Sequence, residues 1–253
     1  MTEIELSIVF GTSNRLVSLE RCVDSVRRAC GDLVYEIIVV DGCSTDGTRE
    51  YLLQRPNLRP HFEAKRRGAV AAFNAGYRMS RAPFVALLND DVEVEADALE
   101  FAVRYMTARP GVGQTALAYK KPEALQYRTY TIHGKPYANL GIIRREAAED
   151  ATAIQGALWN PRYHTYAADT ELSCWLHKLG WGVEPLLKAR CIDYEIRDVL
   201  RIENNSGRNR LDSCAFGRKW PSAQHIEPDG PFPLASEEEL GAFQRLRDRK
   251  RPS

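Results

Sequence analysis

Residues 84–92 read Phe-Val-Ala-Leu-Leu-Asn-Asp-Asp-Val, and this stretch is the strongest indication of the fold. Its apolar run ends abruptly at Asn89, Asp90 and Asp91. A continuous apolar run is typical of a buried strand in a parallel sheet, and open α/β sheets bind ligands at the carboxyl ends of such strands. Adjacent carboxylates repel each other unless water or a cation lies between them, and Mg²⁺ and Mn²⁺ prefer oxygen ligands. The motif alone leaves two interpretations open: a metal–phosphate site at a strand tip, or a solvated Asn-Asp turn.

Length and composition indicate a protein with a full hydrophobic core. The chain has 253 residues, 44% of them hydrophobic, which is enough for one large domain or one and a half. A formal net charge of +1 gives no electrostatic footprint for nucleic acid. No apolar stretch approaches the length of a membrane span, and the N-terminus lacks the pattern of a secretory signal. The six cysteines have no C-x-x-C spacing, which favours reduced thiols over a zinc site or disulfide framework and predicts a soluble, cytoplasmic protein.

The first half of the chain alternates between strand and helix patterns. Short β-branched runs at residues 6–10 and 37–40 predict buried strands, and apolar residues recur at helical spacing over residues 16–26. A second helix, which either Ser44 or Asp46 caps, follows the second strand. This order predicts βαβ units and a parallel sheet. Further elements are predicted near residues 61–64 (an edge strand), over 69–76 (a helix of small residues) and over 96–106 (an amphipathic helix).

The second half of the chain is less regular. Residues 112–145 combine β-leaning segments with long loops, and the composition of residues 204–233 predicts ordered loops. Between them, residues 169–179 place apolar side chains on one helical face, and Gly180 ends that helix. Asp169 lies at the start of this helix, so its residue type also fits a helix N-cap.

Five separated stretches carry recognisable motifs. They are residues 39–48 (Val-Val-Asp-Gly-Cys-Ser-Thr-Asp-Gly-Thr), 68–76 (Gly68 to Asn-Ala-Gly), 87–91 (Leu-Leu-Asn-Asp-Asp), 169–172 (Asp-Thr-Glu-Leu) with Gly-Trp at 180–181, and 216–220 (Phe-Gly-Arg-Lys-Trp). Together they resemble the family 2 glycosyltransferases, enzymes with a GT-A fold. Each motif alone is weak, but all five occur in the family's order over roughly residues 4–220.

The resemblance implies an α/β protein of GT-A fold, in which a Rossmann-like, mostly parallel central sheet is flanked by helices and joined by a smaller acceptor-side region. Ser236 and Glu239 form a capping-box pattern that opens a charged helix or tail with a basic end. The implied organisation is a single domain over residues 1–233, divided into a nucleotide-sugar half (1–111) and an acceptor and catalytic-base half (112–233), followed by the tail (234–253).

The activity that the resemblance implies is metal-dependent, inverting transfer of a sugar from a nucleoside-diphosphate sugar to a hydroxyl acceptor. A divalent ion, Mn²⁺ or Mg²⁺, neutralises the departing diphosphate as a Lewis acid. In the family the last carboxylate of the D-x-D motif holds this ion, and that position corresponds to Asp91. Many relatives carry a late histidine that completes the metal shell, and Asp193 stands near its place, so the resemblance implies either that Asp193 is a metal ligand or that water fills this position. Asn89 replaces the first aspartate of the motif, which puts the ribose contact more in doubt than the metal.

The resemblance also implies a set of donor-binding residues. Many relatives have an acid after Asp41 that binds the imide of uracil, and this chain has Gly42 instead. The identity of the base is therefore open: the resemblance makes UDP the first expectation for the donor nucleotide, with dTDP and GDP as alternatives. Arg67 is expected at the base or diphosphate, or alternatively in a solvated basic run over residues 65–67. The implied donor-binding residues are Gly11, Thr12, Asn14, Arg15, Asp41, Arg67, Gly68, Asn74, Asn89 and Asp90.

The acceptor hydroxyl must lose a proton during transfer, so a carboxylate within hydrogen-bond reach is needed as general base. Asp169 matches the family's catalytic base by position, and Glu171 is the family's second acid. The acceptor is a saccharide or another hydroxyl-bearing molecule, and residues 112–165 should shape its pocket. Aromatic candidates for acceptor contacts, which equally fit a core, are Trp159, Tyr163, His164 and Tyr166.

Two other functions compete with the glycosyltransferase. Sugar-phosphate nucleotidyltransferases share a similar nucleotide-binding half, but they carry a Gly-rich loop after the first strand that residues 11–15 match poorly. A non-catalytic nucleotide-sugar-binding module would keep the fold without turnover. The presence of both Asp91 and Asp169 speaks against such a module.

Overall fold

Among the residues that the computed structural model describes, 3–203, 207 and 209–250, an eight-stranded sheet forms the centre of the fold. The strands are β1 (Leu6–Thr12), β2 (Tyr35–Asp41), β3 (Leu58–Phe62), β4 (Phe84–Asn89), β5 (Val92–Val94), β6 (Val112–Lys120), β7 (Tyr130–Ile132), β8 (Lys135–Tyr137), β9 (Gly141–Arg144) and β10 (Gly182–Asp193). The helices are α1 (Leu16–Ala29), α2 (Thr48–Leu53), α3 (Ala69–Met79), α4 (Ala98–Thr107), α5 (Arg145–Gln155), α6 (Ala168–Lys178), α7 (Val199–Glu203), α8 (Asn209–Lys219) and α9 (Glu237–Lys250). β7 and β8 pair separately as a hairpin.

The central sheet is mostly parallel. Its strand order is β3-β2-β1-β4-β9-β6-β10-β5. The first four strands are parallel neighbours, as are β6 and β10, whereas β9 and β5 run antiparallel to the strands beside them. This arrangement confirms the predicted α/β fold with a mostly parallel sheet. It also brings the carboxyl ends of β1, β2 and β4 to the same edge.

Hydrophobic cores lie on both faces of the sheet because successive strand residues point to opposite sides. In β1, Ile8 and Phe10 belong to one buried cluster, and Val9 between them belongs to the other. In β4, Leu88 joins the first cluster and Leu87 the second. The continuous apolar run of β4 therefore has the expected cause, which is burial on both faces.

Two elements of the second half carry no clear sequence signal. Strand β6 contains Gln114 and Thr115, which interrupt its apolar pattern although both are buried. Gln114 is satisfied because its side-chain carbonyl accepts a hydrogen bond from the Ser173 hydroxyl at 2.8 Å. Helix α5 buries Ala147 and Ala151, whose small side chains mark the helical period only weakly.

The prediction of ordered loops over residues 204–233 is wrong for much of that segment. Helix α8 lies within it, and a 3₁₀ helix follows at Ala223–His225. The inner face of α8 buries Asp212, Phe216 and Lys219, so two of the three positions that would mark its period are charged. Asn204, where the predicted loop segment begins, lies outside the described residues.

The C-terminal helix α9 begins with the predicted capping box. Ser236 donates its backbone N–H to Glu239 at 2.9 Å, and the Glu239 N–H donates to the Ser236 hydroxyl at 3.2 Å. Ala242 and Phe243 are buried in the same cluster as Trp175. Helix α9 therefore packs against the core through Ala242 and Phe243, whereas Arg245, Asp248 and Arg249 in its basic end are exposed.

Lys219 joins the C-terminal helix to helix α6 through a buried ion pair. Its Nζ lies 2.7 Å from a Glu171 carboxylate oxygen and 2.5 Å from one of Glu239. Only 2% of the Lys219 side chain and none of the Glu171 side chain is exposed. Asn160 and Tyr163 donate further hydrogen bonds to Glu171. Such a network is stable only while every charge keeps its partner.

We predict that Lys219→Met destabilises the fold strongly, because it leaves two glutamates without their buried cation. The expected loss is about 3–5 kcal/mol of unfolding free energy, measured by urea denaturation. The matched control is Lys135→Met, which removes a more exposed ion pair to Glu227 at 2.7 Å. Its expected cost is about 1 kcal/mol or less. Equal midpoints and slopes of the urea denaturation curves of the two variants would contradict this account.

Candidate active site

The carboxyl ends of β1, β2 and β4 open into a cavity of about 400 Å³. It lies where ligands of open α/β sheets are expected. Side chains that the sequence analysis did not single out also line it, notably Arg66, Tyr137 and Arg201. The predicted site residues on its wall are Gly11, Thr12, Arg15, Gly68, Asn89, Asp90, Asp91 and Asp169.

Asp90 is buried at the tip of β4 and held from two sides. Its carboxylate accepts hydrogen bonds from the Thr12 hydroxyl at 2.8 Å and from the Arg15 guanidinium at 2.9 Å. Burial raises the pKa of Asp90 to about 6, and the Arg15 charge opposes that shift. The carboxylate thus fixes the loop after β1 against the end of β4.

Asp91 lies close to both positive and negative side chains. Its Oδ2 lies 3.3 Å from the Arg201 guanidinium and 3.8 Å from that of Arg15. Burial raises the pKa of Asp91, and the negative charge of Asp193 raises it further. Asp193 is not part of the cavity wall, and its carboxylate accepts a hydrogen bond from Lys121 at 3.0 Å. The two aspartates are brought together because the pairing of β10 with β5 sets Asp193 opposite Val92.

Two arginines join the segment around α7 to the acidic residues at the tip of β4. Arg15 forms an ion pair with Asp198 at 2.7 Å, and Arg201 in α7 contacts both Asp91 and Glu195. The sequence analysis missed Arg201 because a lone arginine in a polar segment carries no signal of its own. Only the fold brings it to the tip of β4.

Asp169 faces the other part of the cavity. It is the second residue of α6, and the N-cap position is held by Ala167 with a φ of 65°, so Asp169 is not the N-cap. Its carboxylate accepts the Thr170 backbone N–H at 2.8 Å. Burial raises the pKa of Asp169. Tyr137 is close enough for the Asp169 charge to raise the pKa of its phenol, after the larger effect of burial.

The side chains of four predicted donor-binding residues bond to other groups of the protein. The Asn74 amide donates to the Trp159 carbonyl at 2.8 Å and accepts the Trp159 N–H at 2.9 Å. Asn14 accepts the Thr45 N–H at 2.7 Å. Asp41 is fully buried and accepts the Ser44 N–H, and Arg67 pairs with Glu63 at 2.9 Å. Among the described residues, none of these four predicted side chains is part of the cavity wall.

Glu171, predicted as a second acid of the site, is likewise absent from that wall. Its carboxylate is enclosed by Lys219, Asn160, Tyr163 and Trp175. The i, i+2 spacing from Asp169 explains the separation, because residues two apart on a helix point in different directions. Glu171 therefore supports helix α6 from inside the protein.

The loop over residues 157–167 forms one wall of the cavity and is held at Trp159 by Asn74 and at residues 164–166 by Asp212. Gly68, whose φ is +95°, allows close approach of this loop, because a Cβ there would lie 2.4 Å from the His164 ring. Asp212 on helix α8 accepts the backbone N–H groups of His164, Thr165 and Tyr166 at 2.9–3.3 Å. Of the aromatic acceptor candidates, Trp159 and Tyr166 line the cavity, whereas the Tyr163 hydroxyl bonds to buried Glu171.

The sequence profile of glycosyl transferase family 2 matches residues 7–164. The chain belongs to this family. That result confirms the resemblance carried by the five motifs, three of which lie within the matched residues. Family 2 membership also agrees with a cavity at the carboxyl ends of β1, β2 and β4.

A curated family relative covers a short part of the chain. TuaG of Bacillus subtilis (strain 168), a glycosyltransferase whose name assigns it to teichuronic acid biosynthesis, is 35% identical over 79 residues. The match spans 30% of this chain and 31% of the length of TuaG. It supports the family assignment of the matched part alone.

Solved structures resemble the fold over more of this family 2 chain. A mannosyltransferase from Pyrobaculum calidifontis, in complex with GDP-Man and Mn²⁺, has a TM-score of 0.63 at 19% identity and covers 97% of this chain and 74% of its own. S. aureus TarS has a TM-score of 0.62 at 16% identity, covering 75% of this chain and 36% of its own. TarS residues 1–349 with UDP-GlcNAc have a TM-score of 0.62 at 15% identity, covering 77% and 59%. At these identities the likeness shows the fold alone. In the described part of the chain, no helix is both long and apolar enough to cross a membrane.

We predict that Asp212→Ala loosens the cavity wall, because three consecutive backbone N–H groups lose their carboxylate acceptor. Loss of a buried acceptor costs about 1–3 kcal/mol, so amide hydrogen exchange at residues 164–166 should speed up by roughly tenfold or more. Asp212→Asn, which keeps one carbonyl oxygen, should have a smaller effect. Unchanged exchange in the alanine variant would show that other contacts hold this loop.

Proposed function

We propose that this family 2 protein is a metal-dependent, inverting glycosyltransferase that moves a sugar, of hexosyl type, from a nucleoside-diphosphate sugar to a hydroxyl acceptor. The observation that carries the proposal is the placement of Asp91 and Asp169 on one cavity, although they lie far apart in the chain. One carboxylate lies at a strand tip among arginines, and the other lies at a helix start across the cavity. Transfer needs both a site for the diphosphate and a base for the acceptor.

The residues at the tip of β4 fit a divalent cation. Mn²⁺ and Mg²⁺ commonly use one or two carboxylates together with substrate phosphates, and Asp91 presents a carboxylate to the cavity. Asp193 lies close enough to raise the pKa of Asp91. No cluster of three or more His, Cys, Asp or Glu suited to a metal exists among the described residues, so nucleotide oxygens would complete the shell. When bound, the ion would neutralise the departing diphosphate as a Lewis acid. Asp91 would hold it, with Asp193 beside it.

The chain's own groups supply the rest of the chemistry. Arg15 and Arg201 line the cavity beside Asp91, where they can neutralise the diphosphate. Asp169 accepts the proton of the acceptor hydroxyl as its oxygen bonds to the anomeric carbon. The bond from that carbon to the diphosphate oxygen breaks in the same displacement, which inverts the configuration.

Several finer expectations complete the proposal. The resemblance alone favours UDP as the donor nucleotide, but the solved neighbours include one with UDP-GlcNAc and one with GDP-Man, so the base has to be inferred from this chain's own residues. Residues 1–111 are proposed as the donor half and residues 112–233 as the acceptor half of one domain. A cytoplasmic location and a saccharide acceptor likewise stay predictions.

We predict that binding of a nucleoside diphosphate depends on Mn²⁺ through Asp91. Calorimetry with UDP and with GDP should give at least tenfold tighter binding in the presence of Mn²⁺ for the wild type. Asp91→Asn should abolish that difference, because it removes one charge from the ligand set. Asp24→Asn, which changes an exposed aspartate on α1, is the matched control. Equal wild-type affinities with and without the metal would rule out the proposed site.

We predict that Asp169→Asn separates catalysis from binding. The variant should bind nucleotide and Mn²⁺ normally and melt near the wild-type temperature, but transfer sugar roughly a hundredfold or more slowly, since a general base contributes ~10²–10⁴-fold. The rate can be followed as nucleoside diphosphate released with an acceptor panel. As the pH is lowered, the wild-type rate should begin to fall at a higher pH than it would for an aspartate of ordinary pKa. The reason is that burial raises the pKa of Asp169, and the protonated carboxyl cannot accept a proton. Near-normal transfer by the asparagine variant would remove Asp169 from the mechanism.

A further inference from the structure

The carboxyl end of β2 forms the far end of the cavity from Asp91. Gly42 lies there, and a Cβ added to it would be 3.2 Å from the Arg66 Cγ and 3.2 Å from the Thr12 carbonyl oxygen. The absence of a side chain at residue 42 thus lets the stem of Arg66 lie across the end of β2. β2 is two strands from β4 in the sheet, a separation of roughly 10 Å. A nucleoside diphosphate whose phosphates lie at Asp91 would place its base here.

The carboxylates near this end are already engaged. Asp41 is fully buried and folds back on the Ser44 N–H at 3.2 Å. Glu63 lines the cavity, but only 1% of its side chain is exposed, and its oxygens accept the Arg67 backbone N–H at 3.2 Å and the Arg67 guanidinium at 2.9 Å. Neither group is presented as an acceptor for the imide N–H of a pyrimidine base.

Arg66, by contrast, presents a weakly held guanidinium. Its ion pair with Glu203 is 3.5 Å long, and 61% of the Glu203 side chain is exposed. The ion pairs of Arg67 with Glu63 and of Arg15 with Asp198 are 2.9 Å and 2.7 Å. Exposed ion pairs are weak, so a ligand can replace Glu203 as the partner of Arg66 at little cost.

We propose that Arg66 recognises the base of the donor, and that this donor is a guanosine-diphosphate sugar rather than a uridine one. Guanine carries two adjacent acceptors, O6 and N7, which match the two parallel N–H donors of a guanidinium. Uracil offers carbonyl oxygens on either side of an N–H donor, and that donor would oppose the arginine. This inference rests on the proposed function, because it assumes that the cavity binds a nucleoside diphosphate.

The test is a calorimetric comparison of GDP, UDP, dTDP and ADP, each with Mn²⁺. The wild type should bind GDP at least tenfold more tightly than the other three, which is the scale of discrimination by one bidentate arginine contact. Arg66→Ala should weaken GDP binding by about tenfold or more and change UDP binding by less than threefold. Arg66→Lys, which keeps the charge but loses the planar fork, should also lose the preference.

Lys65→Ala is the matched control, because it removes an exposed positive charge from the neighbouring residue. Its preference for GDP should equal that of the wild type. Gly42→Ala should lower the preference for GDP, since its methyl group would displace the stem of Arg66. Thermal melting of each variant with its bound nucleotide confirms that the protein is folded.

Tighter wild-type binding of UDP or dTDP than of GDP would overturn the inference and leave the proposed glycosyl transfer standing. An equal loss of affinity for all four nucleotides in Arg66→Ala would also overturn it, because Arg66 would then contact the diphosphate that they share. Failure of the wild type to bind any of the four would instead contradict the proposed function itself.

Discussion

The pairing of buried carboxylates with arginines at the tip of β4 is the constraint on which the cavity depends. Asp90 is buried, and an unpartnered buried charge costs several kcal/mol, so its neighbours must supply a cation. Arg15 does so and reaches onward to Asp198, which joins the β1–α1 loop to the segment before α7. The walls of the cavity are therefore set by charge compensation as much as by the sheet.

The sheet and its nearest helices were predictable because one physical signal dominates there. Strands buried on both faces, such as β1, β2 and β4, must be continuously apolar, and the loops that follow them carry the polar groups. The tip residues Thr12, Asp90 and Asp91 could be assigned to one site because parallel strands end at one edge. The mixed β6 and the alanine-lined α5 lack that signal, since their burial depends on partners distant in sequence.

The roles of individual polar residues were less predictable than their neighbourhood. Asn74 and Glu171 belong to motifs of the family, yet their side chains bind the backbone of Trp159 and the ammonium of Lys219. Asp212 and Arg201 belong to no motif but shape or line the cavity. A sequence motif identifies residues that the fold requires near a site, and only side-chain direction separates those that face the ligand from those that support the wall.

The ion-pair network of Lys219 also constrains how the sequence can change over evolutionary time. Its members lie on three helices, α6, α8 and α9, and each charge is buried against the others. A neutral replacement of Lys219 leaves both glutamates without a cation, whereas loss of either glutamate leaves Lys219 paired with the other. Simultaneous apolar replacement of all three residues can be neutral or stabilising. Homologues that lose the lysine should therefore also lose both buried glutamates, by coordinated substitutions at sites far apart in sequence.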